Sequence, residues 1–185
     1  MFIIESNITI IIVTLLFIWV YFRYFGPLFI TYQKVNDKAI TPTRAYHRAA
    51  CWDVYSCITW TIPPGCWQEF PIGLKFAPAF HFHIPFLNWT VTPFGNIAGR
   101  IFTRSGLASR KGIRCHLGII DNDFRGEWTI IMYNHGSDPV RIRIGDKIAQ
   151  IDFYRVPSTF LFGVKKLSSS ERGERKFGSS DGVKR

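Results

Sequence analysis

From about residue 40 onward the chain cannot keep one conformation for long. Pro63-Pro64-Gly65, Pro71-Ile72-Gly73, Pro93-Phe94-Gly95 and Asn134-His135-Gly136 cut it into short apolar runs. Proline fixes φ and lacks an N–H, and glycine opens backbone regions closed to other residues, so such clusters mark turns. No long stretch with helical period lies between them. Glu127–Tyr133 and Val140–Ile144 alternate apolar and polar residues, as half-buried strands do. Aromatic residues at 16% add to a composition that leans toward strands. Short strands at this spacing predict an all-β sandwich or barrel.

The first forty residues read differently. Ile8–Phe22 is an unbroken apolar run, Arg23 interrupts it, and Tyr24–Tyr32 is apolar again. A bilayer core needs about 20 residues of helix. An N-terminal membrane anchor through residues 8–32 is the expectation. The absence of Lys or Arg at the start and of a small-residue cleavage site argues against a signal peptide. Lys34, Lys38, Arg44 and Arg48 follow the run while only Glu5 precedes it, which would put the remainder on the cytoplasmic side. The rival expectation is a cytoplasmic or nuclear protein whose N-terminal segment is not native. The chain thus divides into a hydrophobic segment and linker (1–39), a β domain (40–167) and a flexible, glycine-rich tail (168–185).

The formal charge of +10 predicts attraction to anions without choosing among phosphate, nucleic acid and acidic lipid. Cys51, Cys57, Cys66 and Cys115 form no CxxC pair and no zinc spacing, so free thiols are expected. His81 and His83 share a strand parity, but no third ligand accompanies them.

The centre of the chain carries the chemistry. Pro42-Thr-Arg-Ala-Tyr46 leads to Asp53. Gly99-Arg-Ile-Phe-Thr-Arg-Ser-Gly-Leu-Ala108 is followed by Gly118-Ile-Ile-Asp-Asn-Asp-Phe-Arg-Gly126, then by Gly145-Asp-Lys-Ile-Ala-Gln150. Arg172-Gly173 and Phe177-Gly-Ser-Ser180 close the series. A lone Arg-Ser-Gly would carry little weight. This ordered set, over about residues 41–182, resembles the five motifs of the trimeric dUTPase family.

The resemblance implies a jelly-roll-like β-barrel that assembles as a homotrimer with shared sites. It implies hydrolysis of dUTP to dUMP and pyrophosphate with Mg2+ as cofactor. Asp121 would be the base that orients the attacking water. Asp53 would help hold the magnesium–triphosphate complex, largely through water. Arg104, Ser105, Gly106 and Gln150 would bind phosphate oxygens. Backbone groups around Gly118 and Ile120 would read uracil. Phe124 stands where the family usually has Tyr, and its ring would exclude a 2′-hydroxyl. Arg172, Phe177, Gly178, Ser179 and Ser180 would fold over the nucleotide, with Phe177 on the base.

Some positions depart from the family pattern. Arg175 and Lys176 replace glycines, Asp181 replaces a glycine after Ser180, and Cys51 replaces a glycine before Trp52-Asp53. About a dozen extra residues, including His81–Thr90, lie between Gly73-Leu74 and Gly99. These changes keep open a catalytically weakened relative that acts as an interaction or signalling module. A deoxycytidine-triphosphate deaminase of the same fold fits the motifs less well. With no helix-turn-helix or zinc pattern, no specific nucleic-acid binding is expected.

Overall fold

A computed structural model describes residues 2–79, 82–84, 89–91, 96–171 and 173–174. Helix α1 (Phe2–Tyr24) is followed by strands β1 (Ile30–Lys34), β2 (Trp52–Tyr55), β3 (Trp60–Ile62), β4 (Trp67–Pro71) and β5 (Leu74–Pro78). Strands β6 (Phe82–Ile84), β7 (Trp89–Val91) and β8 (Asn96–Thr103) lead to helix α2 (Ser105–Lys111). Strands β9 (Ile113–Cys115), β10 (Ile119–Ile120), β11 (Thr129–Asn134), β12 (Val140–Ile142) and β13 (Lys147–Val156) complete the order.

All the pairings are antiparallel. The principal sheet runs β10-β8-β13-β2, and a second runs β4-β11-β9. Two-stranded ribbons β1-β5, β12-β3 and β6-β7 accompany them. The expected all-β domain is therefore observed. Its alternating segments behave as read: β11 buries Ile130, Met132 and Asn134 and turns Ile131 and Tyr133 outward. The core between the sheets is apolar, with Ile62, Phe70, Ile72, Leu74, Ile113, Ile130, Met132, Ile148 and Ile151 fully buried. Burying each such side chain contributes about 1.5–3 kcal/mol relative to exposure. Asp53, Ser56 and Asn134 are the buried polar residues among those described, and Asn134 serves a turn. Its Nδ2 donates to the carbonyls of Ile62 and Asp138, and its Oδ1 accepts from the Gly136 N–H, which fixes the turn after β11.

Two features reshape the N-terminal reading. The first is length. The uncharged stretch between Glu5 and Arg23, at about 1.5 Å per residue, is roughly 25 Å long and falls short of a ~30 Å hydrocarbon core. Among the described residues no helix is long and apolar enough to cross a membrane, so the expected spanning helix is corrected on this point. The second is β1. Residues Ile30–Lys34, the first three of which end the supposed anchor, pair with β5 as part of the β domain. Gly26-Pro27 ends the helix first, and Arg155 at the end of β13 donates from Nη2 to the carbonyls of Phe22, Gly26 and Pro27. A cation on the last carbonyls suits a helix C-terminus. The inserted segment after β5 contributes the β6-β7 ribbon, in the register Phe82↔Val91, His83↔Thr90 and Ile84↔Trp89.

Candidate active site

The site is best followed along β8, because both halves hang from it. At one end β8 runs into α2 through Arg104, the N-cap, whose backbone is extended at φ −73° and ψ 127°. The first helical bonds run from the Leu107 and Ala108 N–H groups to the Arg104 carbonyl. The N–H groups of Ser105 and Gly106 precede them and, as the first amides of a helix, have no carbonyl partner within it. The first turn of α2 holds no acidic residue.

Beside this turn lies Asp53 on β2, only 1% exposed. Its Oδ1 accepts from Arg104 Nε at 3.1 Å and from Gln150 Nε2 at 3.2 Å. Its Oδ2 accepts from Lys147 Nζ at 2.9 Å. Arg104 Nη1 also donates to the Lys147 carbonyl at 3.2 Å, which locks the guanidinium plane. Burial alone would push the Asp53 carboxyl up. The Lys147 hydrogen bond, the Arg104 and Lys147 charges and the Gln150 amide outweigh it and hold the group below its usual range. The hydrogen bond to Asp53 correspondingly raises the Lys147 ammonium. Three of the expected site residues, Asp53, Arg104 and Gln150, thus form one cluster, with Ser105 and Gly106 on the adjoining turn.

Lys147 belongs to this cluster but does not stand out in the sequence. On a regular strand, residues three apart point to opposite faces, so Lys147 and Gln150 would be separated. The pairing of β13 with β2 is irregular between Lys147 and Ala149, and Ile148 and Ala149 are buried in succession. The extra residue inverts the parity and returns Lys147 to the face of Gln150, which pairs directly with Asp53.

The other half of the site lies at the far end of β8. Strand β10 pairs through Ile119↔Arg100 and Ile120↔Gly99, and Ile101 N–H donates to the Gly118 carbonyl. Asp121 opens the following turn, closed by the Phe124 N–H to Asp121 carbonyl bond. Asn122 Oδ1 accepts from Ile97 N–H, and Arg125 Nη1 donates to the Asn122 and Phe124 carbonyls. The Asp121 side chain is exposed and has no hydrogen-bond partner among the described residues. Phe124 is 44% exposed, and its ring lies over Gly126, where a Cβ would come within 2.4 Å of it. A crevice lined by Asp121, Asn122, Phe124, Trp128 and Phe153 runs beneath the turn.

Within one chain the two halves stay apart. Strand β10 is three places from β2 across the sheet, which at ~4.8 Å per strand is roughly 14 Å. Arg172, Phe177, Gly178, Ser179 and Ser180 lie outside the described residues, as do Arg175, Lys176 and Asp181.

Residues 37–181 match the dUTPase family model, and the chain belongs to that family. It is 35% identical over 152 residues to the deoxyuridine 5'-triphosphate nucleotidohydrolase of Variola virus, covering 82% of this chain and 92% of that one. It is 34% identical to the swinepox virus enzyme of the same name, covering 83% and 97%. Among solved structures, the Staphylococcus bacteriophage 80alpha dUTPase with dUPNHPP superposes with a TM-score of 0.68 at 22% identity, covering 82% and 97%. A mutant dUTPase of phage phi11, described for its structural Mg(II) ion, gives 0.63 at 18%, covering 76% and 99%. These structural likenesses establish the fold.

Proposed function

We propose that the chain hydrolyses dUTP to dUMP and pyrophosphate, lowering dUTP and supplying dUMP for thymidylate synthesis. The observation that carries the reading is the Asp53-centred cluster, which presents Arg104, Gln150 and the Ser105-Gly106 amides as a fixed set of phosphate donors in a chain of the dUTPase family. Asp121 accepts the proton of the attacking water as its oxygen bonds the α-phosphorus. The bond from that phosphorus to the bridging oxygen breaks, and pyrophosphate leaves with its charge held by the donor set. Backbone groups from Gly118 to Ile120 read the base. The Phe124 ring occupies the space a 2′-hydroxyl would need. Arg172 and Phe177–Ser180 close over the nucleotide, consistent with a tail that binds only when substrate is present.

The roughly 14 Å between the halves favours a homotrimer, in which Asp121 of one copy faces the donor cluster of another. The segment after β13 supports it: Phe160, Leu161 and Phe162 are 80%, 98% and 84% exposed, which is costly unless another copy covers them. A divalent cation, Mg2+ in the family, would enter with the triphosphate and offset its charge.

For location we propose the cytoplasmic face of a membrane, with α1 as the attachment. Ile10, Phe17 and Trp19 expose half or more of their area, and basic residues follow at Lys34, Lys38, Arg44 and Arg48. Co-sedimentation of the full chain with acidic vesicles is expected, and its absence sinks this placement.

The deciding experiment on function measures pyrophosphate release from dUTP, dCTP, dTTP and UTP with Mg2+. Release from dUTP alone is expected. A folded trimer that releases none from any of them returns the interaction-module reading to first place.

A further inference from the structure

Asp53 does not fit the part of a metal ligand. Both its oxygens already accept hydrogen bonds, Oδ1 from Arg104 and Gln150 and Oδ2 from Lys147. The carboxylate side chain is 2% exposed, and two cationic groups touch it. Mg2+ demands near-octahedral oxygen ligands at about 2.0–2.1 Å and gives up its waters reluctantly. A carboxylate enclosed by an ammonium and a guanidinium offers it neither space for hydration nor net negative charge. Among the described residues no group of three His, Cys, Asp or Glu side chains could hold a metal.

What the geometry does favour is a different division of labour. An arginine and a lysine side by side repel each other, and each loses rotamer freedom when fixed. Asp53 offsets both costs, because its two oxygens hold the Arg104 and Lys147 head groups and the Gln150 amide in one arrangement. The carboxylate cancels one of the two positive charges and leaves the other for the ligand. The irregularity in β13 exists at the one place that brings Lys147 into this set.

We propose that Asp53 is the internal counter-ion that orders the phosphate-binding donors, that Lys147 is a positioning residue acting on Arg104 and Gln150 through it, and that Asp53 gives no direct bond to a divalent cation. This rests on the reading of the cluster as the triphosphate site, but its test does not need turnover.

The test uses the full chain and two probes: inorganic pyrophosphate without metal, followed by calorimetry, and Mn2+ without nucleotide, followed by the loss of its free electron-spin-resonance signal. Asp53→Asn removes a negative charge beside a bound anion. If charge alone mattered, pyrophosphate would bind more tightly. If Asp53 orders the donors, binding weakens by about tenfold, the worth of one misplaced charge-assisted hydrogen bond. Lys147→Ala is expected to weaken pyrophosphate by about as much, and Lys147→Arg to keep it within about threefold, since either cation can pair with the carboxylate. Mn2+ binding is expected to be the same in the parent chain and in Asp53→Asn. Pyrophosphate binding that is unchanged or tighter in Asp53→Asn overturns the proposal. So does a Mn2+ site that Asp53→Asn abolishes, or a parent chain that binds no pyrophosphate at millimolar concentration. Should Asp53→Asn fail to fold, the Lys147→Ala and Lys147→Arg pair decides, because the Lys147 side chain is 37% exposed. A parent chain that leaves dUTP intact yet follows this pattern sinks the activity and leaves the proposal standing.

Discussion

The two ends of β8 solve opposite problems. At the Arg104 end a buried carboxylate holds three side chains in fixed relation before any ligand arrives. At the Asp121 end the carboxylate is exposed, and the turn around it is held by one backbone bond and by the Asn122 and Arg125 side chains. Donors that must meet a polyanion gain from being set in advance, because their reorganisation is then already complete. A base that must meet a water and a phosphorus together is completed only when substrate arrives, so it can stand open until then. On the proposed reading, the contrast separates phosphate binding at one end from bond cleavage, with base and sugar recognition, at the other.

The largest test of that separation is Asp121→Asn. It removes the proton acceptor and leaves the donor cluster untouched, so kcat should fall by about 10²- to 10⁴-fold. Binding of a non-hydrolysable dUTP analogue should stay within about tenfold. Joint loss of both, in a protein with unchanged circular dichroism, would merge the two ends into one functional unit. Gln150→Ala should do the reverse and raise KM by about tenfold with a smaller change in kcat, since it takes a donor from the binding end. Equal losses in kcat and kcat/KM would instead place Gln150 in the chemistry.

Next in size is the strand that joins the ends. A Cβ on Gly99 would sit 2.2 Å from the Trp128 ring, far inside any tolerated contact. Trp128 is 3% exposed and packed against Phe76 and Phe153, so it cannot retreat. Gly99→Ala should cost about 1–3 kcal/mol by overpacking, read as a lowered Tm. Because Gly99 pairs with Ile120, the Asp121 turn should be displaced more than Asp53, and kcat should suffer more than pyrophosphate affinity. A parallel decline in both would show that β8 transmits strain evenly.

Sequence reasoning fared unevenly along this same strand. The domain's β class was readable because Pro-Gly punctuation and the alternation in β11 and β12 act locally, within a few residues. Asp53, Arg104 and Gln150 were nameable from their motifs, but their convergence on one carboxylate depends on pairings between residues as far as 97 apart. Lys147 was hidden by a parity argument that holds only for regular strands. Helix α2 spans seven residues, too few to show a period, and no helix was expected after residue 40. Strand β1 was absorbed into an apolar run, because Tyr24–Tyr32 carries no mark of its pairing with β5. Local rules reach local structure, and the site is built from long-range register.

The smallest effect concerns acid. Asp53 titrates below its usual range in the fold, whereas in the unfolded chain it has an ordinary value of about 4. The folded state therefore favours the ionised form. That contribution to stability is complete above the unfolded value and is lost as the pH falls through about 4 toward the folded one. The buried Asp53 carboxylate, held by Arg104, Lys147 and Gln150, loses these partners' support when it is protonated. Thermal unfolding of the parent chain should show a fall in Tm below about pH 4 that is visibly shallower in Asp53→Asn. If the fall is as steep in Asp53→Asn as in the parent chain, the buried carboxylate does not carry the acid response, and the contrast between the two ends of β8 loses its electrostatic basis.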